Sequence, residues 1–120
     1  MLEPSKRLEI NDFIKVIFEN ENVTIHDAVL NRVKESHEFL LSFSENKVIY
    51  GVNTGFGPMA QYKIDDKDRI ELQFNLIRSH SSGTGKAMEP AYVKALMLAR
   101  LNTLSLGKSG VHHSVVERLQ

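Results

Sequence analysis

At 120 residues, with 42% hydrophobic and 25% charged residues, the chain has the composition of one globular domain rather than of a disordered segment. Fifteen basic residues balance fifteen acidic ones, so no net field draws it to nucleic acid or to an anionic membrane surface. The absence of cysteine excludes disulfides and thiolate chemistry, no run approaches the ~20 apolar residues of a membrane span, and the N-terminus lacks the apolar stretch of a signal peptide, so cytoplasm is the expected location.

The first predicted element is an amphipathic helix: Ile10, Phe13, Ile14, Ile17 and Phe18 recur at helical spacing until the polar run Asn20-Glu21-Asn22 ends it. A second helix follows Val23-Thr24-Ile25. Thr24 and Asp27 have the spacing of a capping box, and Val29, Leu30, Val33, His37, Leu40 and Leu41 carry the periodicity. Lys47-Val48-Ile49-Tyr50 has the character of a short strand, and Gly51, Gly55, Gly57 and Pro58 break regular structure after it. Asp65 or Asp66 is placed to cap a third helix, with Ile70, Phe74 and Ile77 on one face and Gln73, Leu76 and His80 on the adjacent one, ending at Gly83 or shortly after.

Pro90 suits the first turn of a fourth helix running through Tyr92, Leu96, Met97, Ala99, Leu101 and Leu104 to Gly107. Apolar residues occupy nearly every face from Tyr92 to Leu106, so this helix is expected to be covered on all sides, with Met88 and Met97 in the core. His113, Val115, Val116 and Leu119 open a fifth helix that meets no glycine, proline or polar stop before Gln120. The chain is therefore expected to be a segment of a longer protein.

Chemistry concentrates in the loop Tyr50-Gly51-Val52-Asn53-Thr54-Gly55-Phe56-Gly57, which combines a phenol, two hydrogen-bonding side chains and three glycines. That composition lets backbone approach a ligand closely. Taken alone, it is more simply a glycine-rich turn in which Tyr50 packs its ring and its hydroxyl finds a partner. Gly83-Thr84-Gly85-Lys86 is similar to part of a phosphate loop, but that motif needs glycine where His80 stands and Ser or Thr where Ala87 stands. The adjacent His112 and His113 diverge by roughly 100° on a helix and make a poor metal pair, while Asp65, Asp66 and Asp68 serve most simply as helix-capping acids.

The loop, the stretch Leu72-Gln73-Phe74-Asn75-Leu76-Ile77-Arg78-Ser79-His80-Ser81-Ser82-Gly83-Thr84-Gly85 and the stretch Leu101-Asn102-Thr103-Leu104-Ser105-Leu106-Gly107-Lys108-Ser109-Gly110 together resemble the histidine, phenylalanine and tyrosine ammonia-lyases. The resemblance runs from about Val23 onward. It implies a mainly α fold, the N-terminal portion of the family's larger helical architecture, with the short strand and the glycine-rich loop at the active site. It also implies that Tyr50 is the acid/base and that His80, thirty positions later, contacts the substrate's ring substituent. Gly57 matches a glycine that lies against the substrate, although backbone angles alone would also call for glycine there. Likewise, a lone histidine near a helix end ordinarily caps carbonyls or sits at the surface, so the resemblance is what directs His80 to the ring.

The implied reaction removes a β-proton and expels ammonia from an aromatic L-amino acid, leaving the α,β-unsaturated acid. A phenol, with an ordinary pKa of about 10, serves as base once donors or positive charge stabilise the phenolate. The family's second device is a methylidene-imidazolone electrophile, made from an internal Ala-Ser-Gly and used to activate the amine. These 120 residues contain no Ala-Ser-Gly, so the chain is expected to end before it and to be inactive alone. Ser79-His80 is common in histidine lyases, whereas the longer run to Gly85 is closer to tyrosine-selective bacterial members, so the expected substrate is tyrosine or histidine with a lean to tyrosine. The family forms homotetramers whose active sites draw on several subunits. Two other functions stand beside the lyase: a helical interaction subunit that docks a partner through the fourth helix, and a nucleotide-binding module at Gly83 to Lys86.

Overall fold

The computed structural model describes residues 7–120, apart from the side chain of residue 66. Among the described residues there are five α-helices: α1 (Ile10–Phe18), α2 (Asp27–Ser44), α3 (Asp66–His80), α4 (Pro90–Leu104) and α5 (His113–Leu119). The chain divides into two units, one within Met1–Leu40 and Ala87–Gln120 and the other Leu41–Lys86, with the last turn of α2 in the second. Of these helices none is long and apolar enough to cross a membrane.

The first unit is built by apolar side chains at helical spacing. Val29 and Val33, one turn apart on α2, are buried with Ile25, with Leu101 and Leu104 of α4 and with Val116 of α5. Each such side chain stabilises the fold by about 1.5–3 kcal/mol when fully removed from water. α1 starts where the Asp12 carboxylate accepts the Glu9 backbone N–H at 2.9 Å, and the chain turns away at Asn20, which holds the left-handed φ of 56° that asparagine tolerates. The segment after α4 runs close against α2. A Cβ on Gly107 would lie 2.5 Å from Arg32 Cγ, so a larger residue there would separate the two. Arg32 Nη2 donates to the Ser105 carbonyl at 3.2 Å and His37 Nδ1 donates to the Gly110 carbonyl at 2.8 Å, so the segment after α4 is tied to α2 through its backbone.

The second unit has α3 and the loop before it. On α3, Leu72 and Leu76 are half-buried, while Ile70, Phe74 and Ile77, read from the sequence as one apolar face, are all exposed.

Several boundaries differ from the sequence expectation. Lys47 to Tyr50 forms no strand: Ser44, Lys47 and Ile49 spend their backbone groups on turns and on one side chain, and the bridge found in this unit joins Thr54 to Lys63. α2 begins at Asp27 rather than just after Thr24, and α3 ends at His80, three residues short of Gly83. α4 buries one face, at Leu98, Leu101 and Leu104, but Tyr92, Leu96 and Met97 are exposed. Met88 is exposed too, so neither methionine is core. An apolar residue tells of burial only when some other element is there to cover it.

Candidate active-site loop

The loop between α2 and α3 is organised by its polar residues. Asn53 is 3% exposed, and all the hydrogens of its carboxamide are used: Nδ2 donates to the Ser44 carbonyl at 2.9 Å and to the Lys47 carbonyl at 2.7 Å. Its Oδ1 accepts the Ile49 N–H at 2.8 Å. Its backbone N–H donates to the Ile49 carbonyl at 3.2 Å, and its carbonyl accepts the Ile64 N–H at 3.0 Å. Thr54, equally buried, accepts the Gly51 N–H at 3.3 Å on Oγ1 and donates to the Gly55 carbonyl at 2.8 Å. Gly55 donates to the Tyr62 carbonyl at 3.2 Å, and a Cβ there would stand 2.6 Å from Met59 Cβ, so only glycine permits the loop to fold back on itself. Arg69 on α3 reaches back to the Val52 carbonyl at 3.3 Å. The two side chains that looked available for a ligand are therefore consumed within the loop.

Tyr50 projects from this frame. It is 62% exposed, its ring stands edge-on to Phe56 with centroids 6.0 Å apart, and among the described residues its hydroxyl has no hydrogen-bond partner. The plainer expectation for Tyr50, a ring packed inside a turn with its hydroxyl satisfied, is not what the structure shows. Gly57 follows with φ 55° at the start of a 3₁₀ turn (Gly57–Met59), and nothing lies within 4 Å of where its Cβ would be. Left-handed backbone is reason enough for glycine at that point, and the open space above it leaves room for another group.

His80 is the last residue of α3. Its Nδ1 lies 2.9 Å from the Leu76 carbonyl, one turn back, and 3.0 Å from Ser79 Oγ. A carbonyl only accepts, so Nδ1 carries a hydrogen and, in the neutral imidazole, Nε2 is left as an acceptor. Among the described residues Nε2 has no partner. His80 therefore caps a helix carbonyl with one nitrogen and presents the other outward. Tyr50 and His80 belong to the same unit, but no hydrogen bond or ring contact joins them.

The family profile described as "Aromatic amino acid lyase" matches residues 8–120. The chain belongs to that family. Similar aromatic amino acid lyases include a "Probable histidine ammonia-lyase" of Thermoplasma acidophilum, 47% identical over 107 residues, covering 88% of this chain and 22% of the relative. The "Histidine ammonia-lyase" of Streptococcus pyogenes is 38% identical over 113 residues, covering 93% of this chain and 22% of the relative. Among solved structures, a tyrosine aminomutase from Streptomyces globisporus superposes with a TM-score of 0.87 at 34% identity, over 98% of this chain and 23% of that one. An ergothionase from Treponema denticola superposes at 0.89 with 28% identity, over 98% of this chain and 24% of that one. The chain thus has the fold of the lyase family and spans less than a quarter of the length of these relatives.

Residues 83–86 are exposed and follow a helix, with α4 starting only at Pro90, whereas a phosphate loop joins a strand directly to a helix N-terminus. His112 Nδ1 is engaged with Ser114, and among the described residues no group of three His, Cys, Asp or Glu could hold a metal ion. Sequence reading missed that Asn53 and Thr54 are structural. Their place between glycines gave no periodic signal, and only burial distinguishes a ligand-binding amide from one that binds its own backbone.

Proposed function

We propose that this chain is the part of an ammonia-lyase that supplies the acid/base and the ring contact for elimination of ammonia from an aromatic L-amino acid. The observation that carries the reading is Tyr50: a phenol held outward from a loop whose Asn53 and Thr54 side chains are spent on backbone groups, in a member of the lyase family. Tyr50 takes the β-proton, the C–H electron pair becomes the new double bond, and the C–N pair leaves with nitrogen, which departs protonated as ammonia. The methylidene-imidazolone, the family's electrophile, supplies activation of the amine when present. No Ala-Ser-Gly from which to make it occurs in these 120 residues, so this chain's share of the chemistry is proton transfer and recognition.

The tautomer of His80 bears on the substrate. An acceptor at Nε2 needs a donor at the ring end, which a tyrosine hydroxyl and a histidine N–H both provide and a phenyl ring does not. Histidine is the stronger of the two, giving urocanate, because the relatives at 38% to 47% identity bear that substrate's name. Tyrosine, giving coumarate, is the runner-up, supported by the aminomutase likeness at 34% identity. A homotetramer in the cytoplasm, as implied by the family resemblance, is part of the same proposal.

The test is to supply the full enzyme containing this segment with L-histidine, L-tyrosine and L-phenylalanine and follow the ultraviolet absorbance of each unsaturated acid. Conversion of histidine with the highest kcat/KM is expected. His80→Phe should lower kcat/KM for histidine and tyrosine by roughly ten-fold, the effect of about 1–3 kcal/mol for an unpaired buried polar group, while phenylalanine improves. Equal loss for all three would remove His80 from ring recognition. A second reading, a helical interaction module, is favoured by the exposed Tyr92, Leu96 and Met97 of α4; failure to convert any of the three amino acids would advance it.

A further inference from the structure

Resting on the reading of Tyr50 as the base, we infer that Asn53 is its positioning residue: the buried carboxamide sets where the loop presents the phenol. The two peptide groups that flank Tyr50 are both held. The carbonyl of Ile49 accepts from the backbone N–H of Asn53 at 3.2 Å and of Val52 at 3.1 Å, and the N–H of Gly51 is bound by Thr54 Oγ1 at 3.3 Å. Asn53 side-chain Oδ1 holds the Ile49 N–H as well, so the residue directly before Tyr50 has both backbone groups bound by one residue four positions after it. Through Nδ2 the same carboxamide ties this knot to Ser44, the last residue of α2, and to Lys47. Fixing both flanking peptides fixes the Cα–Cβ direction of Tyr50, while the exposed ring stands edge-on to Phe56.

The chemistry of the position is narrow. One acceptor and two donors are needed on a side chain that reaches no farther than the γ-carbon group. Aspartate has the shape but no donors, and would set an anion against two carbonyl oxygens. Serine is too short to span three backbone groups, and glutamine would displace the knot by a methylene. Because Asn53 is 3% exposed and both its donors are committed, it does not itself meet the substrate. Its influence on the reaction has to pass through Tyr50.

The experiment is a double-mutant cycle in the full enzyme with Asn53→Asp, Tyr50→Phe and the double variant, using the best substrate in ordinary and β-deuterated form. Asn53→Asp should lower kcat by about 100-fold, the effect of displacing a reacting group by ~1 Å, with KM changed less than threefold and the β-deuterium isotope effect on kcat increased. In the Tyr50→Phe background it should cost less than about threefold, because coupled residues are not additive. An equal fall in both backgrounds, a rise in KM at constant kcat, or an unchanged isotope effect overturns the positioning role while leaving Tyr50 as base. Full turnover by Tyr50→Phe alone overturns the base assignment and the positioning role with it. Should Asn53→Asp fail to fold, hydrogen exchange of the unaltered enzyme decides: the amides of Ile49 and Asn53 are expected to be strongly protected, and exchange at the rate of an open chain overturns the inference.

Discussion

In the unit within Met1–Leu40 and Ala87–Gln120, the buried side chains are chiefly aliphatic, with Val33, Leu101 and Val116 at 2% exposure or less. In Leu41–Lys86 they are Ser44, Asn53 and Thr54, and the order comes from hydrogen bonds to named carbonyls and N–H groups. An aliphatic core tolerates small shifts because its attraction is non-directional. A buried polar knot does not, because each unmade bond leaves a desolvated group behind. The proposed base stands on the second kind of framework, where direction matters more than bulk stability.

Substitutions at the two frameworks should therefore fail differently. The largest effect is expected of Tyr50→Phe, which removes the hydroxyl and keeps the ring. Turnover should fall ~100- to 10,000-fold, the usual contribution of a general base, while thermal unfolding is unchanged because the hydroxyl has no partner among the described residues. Steady-state assay beside a melting curve separates the two quantities, and a melting shift comparable to that of a core truncation would break the contrast.

Leu101→Ala reverses that pattern. At 2% exposure in the centre of the aliphatic cluster, the truncation should destabilise by about 2–5 kcal/mol. Urea unfolding should show a lower midpoint, and kcat per folded enzyme should hold. Loss of kcat without loss of stability would mean that the aliphatic cluster shapes the site directly.

Gly55→Ala comes next and sharpens the comparison within the loop. The added methyl would stand 2.6 Å from Met59 Cβ and 2.9 Å from the Met59 carbonyl, so the turn must open. Overpacking of this kind costs about 1–3 kcal/mol, and hydrogen exchange over residues 53–64 should quicken while the first unit stays protected. Uniform quickening along the chain would show that the units do not respond separately. The smallest effect belongs to Arg78→Ala. The ion pair of Arg78 with Glu71, 3.1 Å long, is about two-thirds exposed on both sides, and such pairs contribute only about 0–1 kcal/mol. A melting temperature within about two degrees of the parent is expected.

Several features of this protein could be read from its sequence. α1, α2, α3 and α5 are legible as helices because apolar residues recur at helical spacing, and α4 because Pro90 marks the first turn of an apolar run; the loop motif and the spacing from Tyr50 to His80 are legible as text that resembles the lyases. Tertiary structure decided the rest. Val48 and Ile49 look like strand residues, yet Asn53, four residues after Ile49, takes the hydrogen-bonding groups a strand would need. Ile70, Phe74 and Ile77 share a helix face that is exposed, and Tyr92, Leu96, Met88 and Met97 stand outside the core, because periodicity says which residues can be buried together and not whether anything covers them. The role of Asn53 depends on which carbonyls lie within 3 Å of one amide. Contacts between residues four to nine positions apart in an irregular loop leave no repeat for sequence reading to find, so only the folded chain reveals them.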